Sequence, residues 1–292
     1  MRWKRVQGQG DMEDRRGQGG GGLGGGGLPI PMGKGAGGLG IILAIVVALL
    51  FGGNIVGGGS DSGFSPGGGL QPAPPADQGP APGSGEDTLF EFTKFVSQDA
   101  QNMWTKVFQN ADRSYQRAGV VAFTSGTQTN GCGPASSASG PFYCPADNKV
   151  YLDLSFAQQL SRRFGATGDL AWAYVVAHEI GHHVQTALGI EANVRRQQQN
   201  DPGNANVYLV RLELQADCFA GVWAHTAYAR GDLEPGDVEE AVGAAEAVGD
   251  DRLGAQSREQ WTHGSSALRA EWFQRGFESG DPNDCDTGDV DI

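Results

Sequence analysis

His178-Glu179-Ile180-Gly181-His182 sets two imidazoles four residues apart, and residues four apart share one face of a helix. His178 and His182 can therefore turn toward one metal ion. Glu179, beside His178, is placed to take the proton of a water held there. Two imidazoles leave a catalytic zinc one protein ligand short, because such a site takes three and keeps its fourth position open. The run Glu213-Leu214-Gln215-Ala216-Asp217 offers the third in Glu213. Asp217 lies one turn further on the same face. As a ligand it would close the open position, so it is expected behind the ligands, orienting an imidazole. His178, His182 and Glu213 thus imply one Zn2+, with Glu179 as the general base for hydrolysis of a peptide bond.

Each motif has a plainer reading. An amphipathic helix can carry two histidines four apart by chance. Gly181 argues against that, since glycine inside a helix costs about 1 kcal/mol and signals close packing. Glu213 and Asp217 could sit on a solvated acidic face. Leu209, Leu212, Leu214, Phe219 and Val222 surround them, however, and carboxylates in apolar surroundings need a partner. His183 falls about 100° round the helix from His182, so a structural or supporting role is expected. His263 precedes a helix and is a candidate to stabilise an oxyanion, with Tyr208 and Tyr228 as weaker ones. His225 is expected to be packed or at the surface.

The elements that must hold these residues read as an α+β domain, helix-rich with a small β-sheet. Thr88-Leu89-Phe90-Glu91 is a capping box. From it Leu89, Phe92, Phe95, Val96, Met103, Trp104, Val107 and Phe108 follow helical spacing to about Arg113. Residues 119–124 and 149–154 predict strands, the second a candidate edge for an extended peptide. Residues 125–140 read as a loop. Ser155 and Gln158 predict a short helix ending at Gly165. Helices are predicted over 169–188, 206–230, 235–248 and 265–278, and residues 191–205, polar with Pro202-Gly203, as a loop.

The first 85 residues read differently. Residues 17–40 and 57–85 are glycine-rich or Gly/Pro/Ser/Ala-rich, too poor in large apolar groups to offset their ordering entropy. Between them Leu39–Val56 is apolar and near the lower length limit for a membrane span. Arg2, Lys4, Arg5, Arg15, Arg16 and Lys34 precede it, and the next basic residue is Lys94. That asymmetry predicts a cytoplasmic disordered segment over 1–38, one transmembrane helix over 39–56, a linker over 57–85 and an extracytoplasmic domain over 86–292 at the cell membrane. A net charge of −13 with no basic patch excludes a nucleic-acid surface. Cys132, Cys144, Cys218 and Cys285 all fall in the outer domain, where disulfides persist. Three pairings are open. Cys132 with Cys144 would close a short loop, and Cys218 with Cys285 would tie the acidic C-terminus to the helix bearing Glu213.

The runs CGPASSASGPFYCPADNKVYLDLSF, AYVVAHEIGHHVQ, RLELQADCFAGVWAH and THGSSALRAEWFQRGFESGDPNDCD resemble the bacterial neutral zinc metallopeptidases of the YpfJ-like group. The resemblance spans residues 86–292 and extends to the N-terminal layout. It implies a zincin-like fold and a zinc-dependent peptidase. The Glu-x-x-Ala-Asp run also resembles that of the prenyl-protease and heat-shock class of membrane zinc proteases. There the glutamate is the third zinc ligand, which carries onto Glu213, and the aspartate carries onto Asp217. One predicted span here, rather than several, implies a site facing water. Two other functions fit the same residues: a zinc-stabilised binding module without turnover, and a zinc hydrolase of a non-peptide amide. Glu179 separates the first from an enzyme, because a structural zinc has no use for a base.

Overall fold

The computed structural model describes residues 1–8, 10–18, 85–137 and 139–292. A four-stranded sheet is built from β1 (Met12–Asp14), β2 (Gly119–Phe123), β6 (Lys149–Asp153) and β5 (Phe142–Cys144), in the order β1-β2-β6-β5. β1–β2 and β2–β6 are parallel and β5–β6 antiparallel. Strand residues alternate between faces. Val120, Ala122, Val150 and Leu152 therefore face the helices, while Val121, Phe123 and Tyr151 face a second, smaller core. A hairpin of β3 (Gly126–Gln128) and β4 (Pro134–Ser136) contributes Ala135 to that core. The Cys132–Cys144 disulfide borders it. With both faces covered, β2 and the middle of β6 are apolar in sequence.

The helices are α1 (Gly85–Asn110), α2 (Leu154–Phe164), α3 (Asp169–Leu188), α4 (Ile190–Asn200), α5 (Ala205–Ala229), α6 (Asp237–Ala247), the single turn α7 (Asp250–Leu253) and α8 (Ser266–Ser279). α3 is the central one and touches α1, α5 and α6, while α8 lies along α5. Small residues bring the backbones together. A Cβ on Gly181 would stand 3.2 Å from the Ala216 carbonyl oxygen of α5. One on Gly221 would stand 2.1 Å from the Phe273 carbonyl oxygen, and one on Gly276 2.0 Å from that of Cys218.

Four expectations are corrected. Residues 190–200 form α4, not a loop: the segment has no buried residue and so lacks an apolar period. It is rich in good helix formers and carries an Arg195–Glu191 hydrogen bond at 2.9 Å. Residues 125–140 contain the β3–β4 hairpin. α2 is capped by Asp153, whose carboxylate accepts the Ser155 N–H at 3.0 Å, rather than by Ser155. β6 is not an edge, because β2 and β5 flank it.

A fifth correction concerns the N-terminus. Residues 1–38 were expected to be a disordered cytoplasmic segment, yet residues 1–8 and 10–18 pack on the domain. β1 extends the sheet, Met1 and Met12 are buried, and Trp3 packs against Phe92 at 5.4 Å between ring centroids. Arg16 donates to the Glu86 carbonyl and the Asp87 carboxylate at 3.2 and 3.0 Å. The two flanks of residues 19–84 therefore lie side by side. The predicted span over 39–56 and the linker over 57–85 fall outside the described residues. Among the described residues no helix is long and apolar enough to cross a membrane.

If the N-terminal segment is part of the fold, Trp3→Ala should lower the unfolding free energy by about 1–3 kcal/mol through lost apolar burial. Arg5→Ala, an exposed site, should change it by less than about 0.5 kcal/mol. Denaturant unfolding of both variants checks this.

Candidate metal centre

α3 and α5 bring His178, His182 and Glu213 together. His178 Nε2 lies 3.1 Å from His182 Nε2 and 3.2 Å from Glu213 Oε2. Glu213 Oε1 lies 3.4 Å from His182 Nε2. Zinc–ligand bonds of about 2.0–2.1 Å in tetrahedral array place ligand atoms about 3.3 Å apart. The donor set therefore fits zinc in type and in spacing.

The far side of each ring is also held. His178 Nδ1 is 2.8 Å from Asp217 Oδ1, as expected of an imidazole that donates away from a metal. His182 Nδ1 is 2.9 Å from Gln185 Oε1. With both Nδ1 atoms donating, both Nε2 lone pairs meet beside a carboxylate, an arrangement that calls for a shared cation.

Asp217 is fully buried and heavily bonded. Its Oδ1 accepts from the Tyr174 hydroxyl at 2.6 Å, and Arg269 donates to both oxygens at 2.8 and 2.9 Å. Burial alone would raise the Asp217 carboxyl, but the Arg269 guanidinium and His178 outweigh it and hold it below the usual range. Burial likewise disfavours charge on His178, yet Asp217 and then Glu213 push the imidazole up to about 10. The pocket thus favours a cation at His178 Nε2, whether proton or metal. Glu213 is held well below its ordinary value: burial opposes this, and His182 and His178 overcome it. Glu179 moves the other way. Its carboxyl is raised chiefly by burial, with the two ligand imidazoles partly offsetting that. Beside the cluster of His178, His182 and Glu213, this carboxyl therefore holds a proton more readily than a free glutamate does.

His263 is brought to the same region. A Cβ on Gly264 would stand 3.0 Å from Val210 of α5, and His263 is among the groups that lower the Glu213 carboxyl. Asp250 holds this turn. Its carboxylate accepts the backbone N–H groups of Thr262, His263 and Gly264 at 2.7, 2.7 and 2.9 Å, and lies 3.2 Å from His263 Nδ1. The other histidines and tyrosines stand apart. His183 ties α3 to Tyr143 of β5 and to the Gln116 carbonyl, at 3.1 and 2.7 Å. His225 bonds the Phe277 carbonyl at 2.7 Å. The Tyr208 hydroxyl donates to Asp201, and Tyr228 is exposed. Cys132–Cys144 and Cys218–Cys285 are both disulfides, so no thiolate competes for the metal.

Arg269, Tyr174, Gln185 and Asp250 were not singled out from the sequence as site residues. Arg269 carried a usable signal, a lone cation among Leu268, Ala270, Trp272 and Phe273. Gln185 and Asp250 carried none, since their neighbours come from distant parts of the chain.

Arg269→Met should destabilise the domain by about 3–5 kcal/mol, because it leaves the buried Asp217 charge uncompensated. Asp217→Asn should weaken zinc binding about 10–100-fold. Calorimetric unfolding and chelator competition measure the two. A pH dependence follows from Asp250. Burial would raise its carboxyl, but the His263 side chain and the His263 and Gly264 backbone N–H groups lower it. A lowered folded value means stability present above the unfolded value of about 3.9 and lost as pH falls through the folded one. The stability gap between parent and Asp250→Asn should therefore be about 1–3 kcal/mol at neutral pH and close on acidification, measured by denaturant unfolding.

Over residues 1–288 the chain matches the family described as "Putative neutral zinc metallopeptidase". It is 49% identical over 208 residues to "Uncharacterized protein YpfJ" of Escherichia coli K12, covering 69% of this chain and 72% of that protein. It is 48% identical over 179 residues to "Uncharacterized protein Rv2575" of Mycobacterium tuberculosis H37Rv, covering 56% of this chain and 60% of that one. No solved structure matches. The paired imidazoles, the glutamate beside them and the match along nearly the whole sequence agree: the chain belongs to the neutral zinc metallopeptidase family.

Proposed function

We propose that the protein is a peptidase that uses one zinc ion, held by His178, His182 and Glu213, with Glu179 as general base. The observation that carries this is the convergence of the three ligands beside a buried carboxyl of raised pKa. When bound, zinc supplies Lewis acidity toward a water and toward the substrate carbonyl. Glu179 accepts the water's proton and returns it to the leaving nitrogen. Asp217 keeps His178 in the tautomer that offers Nε2, and Arg269 keeps Asp217 ionised. His263, oriented by Asp250, donates toward the oxygen on which charge develops.

The reading as a zinc-stabilised binding module is less well supported. A structural zinc is closed by four protein ligands, whereas the cluster among the described residues has three. It would also leave a buried acidic group beside the ligands without a task.

For location, the two disulfides support an oxidising compartment outside the cytoplasm. Docking of residues 1–8 and 10–18 supports placing them on the same side of the membrane as the domain. A single crossing between residues 18 and 85 would put β1 and the domain on opposite sides, against their pairing in one sheet. Arg5→Cys and Glu278→Cys, both at exposed positions, should label equally with an impermeant maleimide on intact cells. Protection of the first alone would restore the single crossing.

The activity test is cleavage of an unfolded protein and a peptide library by the zinc-loaded protein. Glu179→Gln should lose about 10²–10⁴-fold in rate while still binding zinc. His263→Ala should lose about 10²–10³-fold in kcat. Cleavage undiminished in Glu179→Gln would sink the mechanism. No cleavage of any peptide, with zinc bound, would move the reading to a non-peptide amide.

A further inference from the structure

His182 is connected to a disulfide by an unbroken line of hydrogen bonds. The Gln215 side-chain amide lies 3.0 Å from the Cys285 carbonyl oxygen, and a carbonyl can only accept, so the Gln215 NH2 faces it. The Gln215 oxygen then faces Gln185, whose NH2 donates to it at 3.1 Å and to the Leu212 carbonyl at 2.7 Å. The Gln185 oxygen is left for His182 Nδ1, at 2.9 Å. Two backbone carbonyls thus fix both amide orientations. They fix the histidine tautomer too: Nδ1 carries the proton and Nε2 offers its lone pair to the metal. Gln185 is wholly buried, so no water can substitute easily for its partners.

Cys285 sits in a 3-10 turn at Pro282–Cys285 and is bonded to Cys218 of α5, next to Asp217. Both cysteines are wholly buried. The disulfide fixes the distance between α5 and the carbonyl on which Gln215 is anchored. We propose that Gln185, Gln215 and the Cys218–Cys285 disulfide together position His182 for the metal, and that zinc affinity depends on all three. This rests on the reading of His178, His182 and Glu213 as a zinc site.

The experiment is zinc affinity of the purified full-length protein by competition with a chromogenic chelator, with far-UV circular dichroism to confirm folding. The parent should bind one zinc. Gln185→Met, Gln215→Met and the double variant Cys218→Ser/Cys285→Ser should each bind zinc about 10–100-fold more weakly. Gln185→Glu keeps an acceptor for Nδ1 but loses the donors to Leu212 and Gln215, so its affinity should fall between those of the parent and Gln185→Met. Adding Gln215→Met to the cysteine pair should cost little more, because the two act on one line. Cys132→Ser/Cys144→Ser should leave affinity unchanged. Affinities of the glutamine and cysteine variants within twofold of the parent would overturn the proposal, as would fully additive losses. If the cysteine pair fails to fold, Gln215→Met, with the disulfide intact, decides. A parent that binds no zinc would instead remove the metal site on which the proposal stands.

Discussion

The centre of this structure is a buried carboxylate. Asp217 is wholly inaccessible, and a lone charge there would be untenable. It is retained because three elements meet on it. α3 sends Tyr174 and His178, α8 sends Arg269, and Asp217 itself belongs to α5. The ionic bond between Asp217 and Arg269 therefore does more than join two side chains. It makes the packing of α3, α5 and α8 a condition of having the site at all. Removing either partner leaves the other buried and unpaired, which is the costly case for a buried pair.

Such bonds need helices at a defined separation, and glycines set it. Gly181 lies inside the ligand-bearing turn of α3 and lets that turn approach the Ala216 backbone. Gly221 and Gly276 do the same where α5 meets α8, with no room for a methyl group on either side. The two helices so joined carry Asp217 and Arg269. Close backbone contact and the buried ion pair are thus two views of one constraint.

What could be read from the sequence follows from how local each signal is. His178, Glu179 and His182 lie within one helical turn, so spacing alone placed them together. Glu213 and Asp217 needed a second step, the mismatch between two carboxylates and their apolar neighbours. Arg269 shows in the sequence only as a lone cation among apolar neighbours, and its partner Asp217 emerges once α8 is seen lying along α5. Gln185 looks like any polar residue three positions after a ligand, and only its remote partners reveal its task. The same logic covers the fold. α1, α3 and α5 have apolar periods and were legible. α4 buries nothing and was not. β1 is three residues long, and it is a strand only because β2 presents an edge to it.

The two imidazoles are held by different chemistry, and charge explains why. His178 leans on a carboxylate and His182 on a neutral amide. With Glu179 ionised, Glu179, Glu213 and Asp217 carry three negative charges, and Arg269 returns one positive. A divalent cation on the ligands brings this buried cluster to neutrality. A second carboxylate in place of Gln185 would leave it negative, in a region that water scarcely reaches. It would also lose the donor that reaches Leu212 and Gln215. A neutral side chain with one acceptor and two donors is what that position requires. Glutamine meets the requirement because its acceptor serves the metal ligand while its donors bind α5.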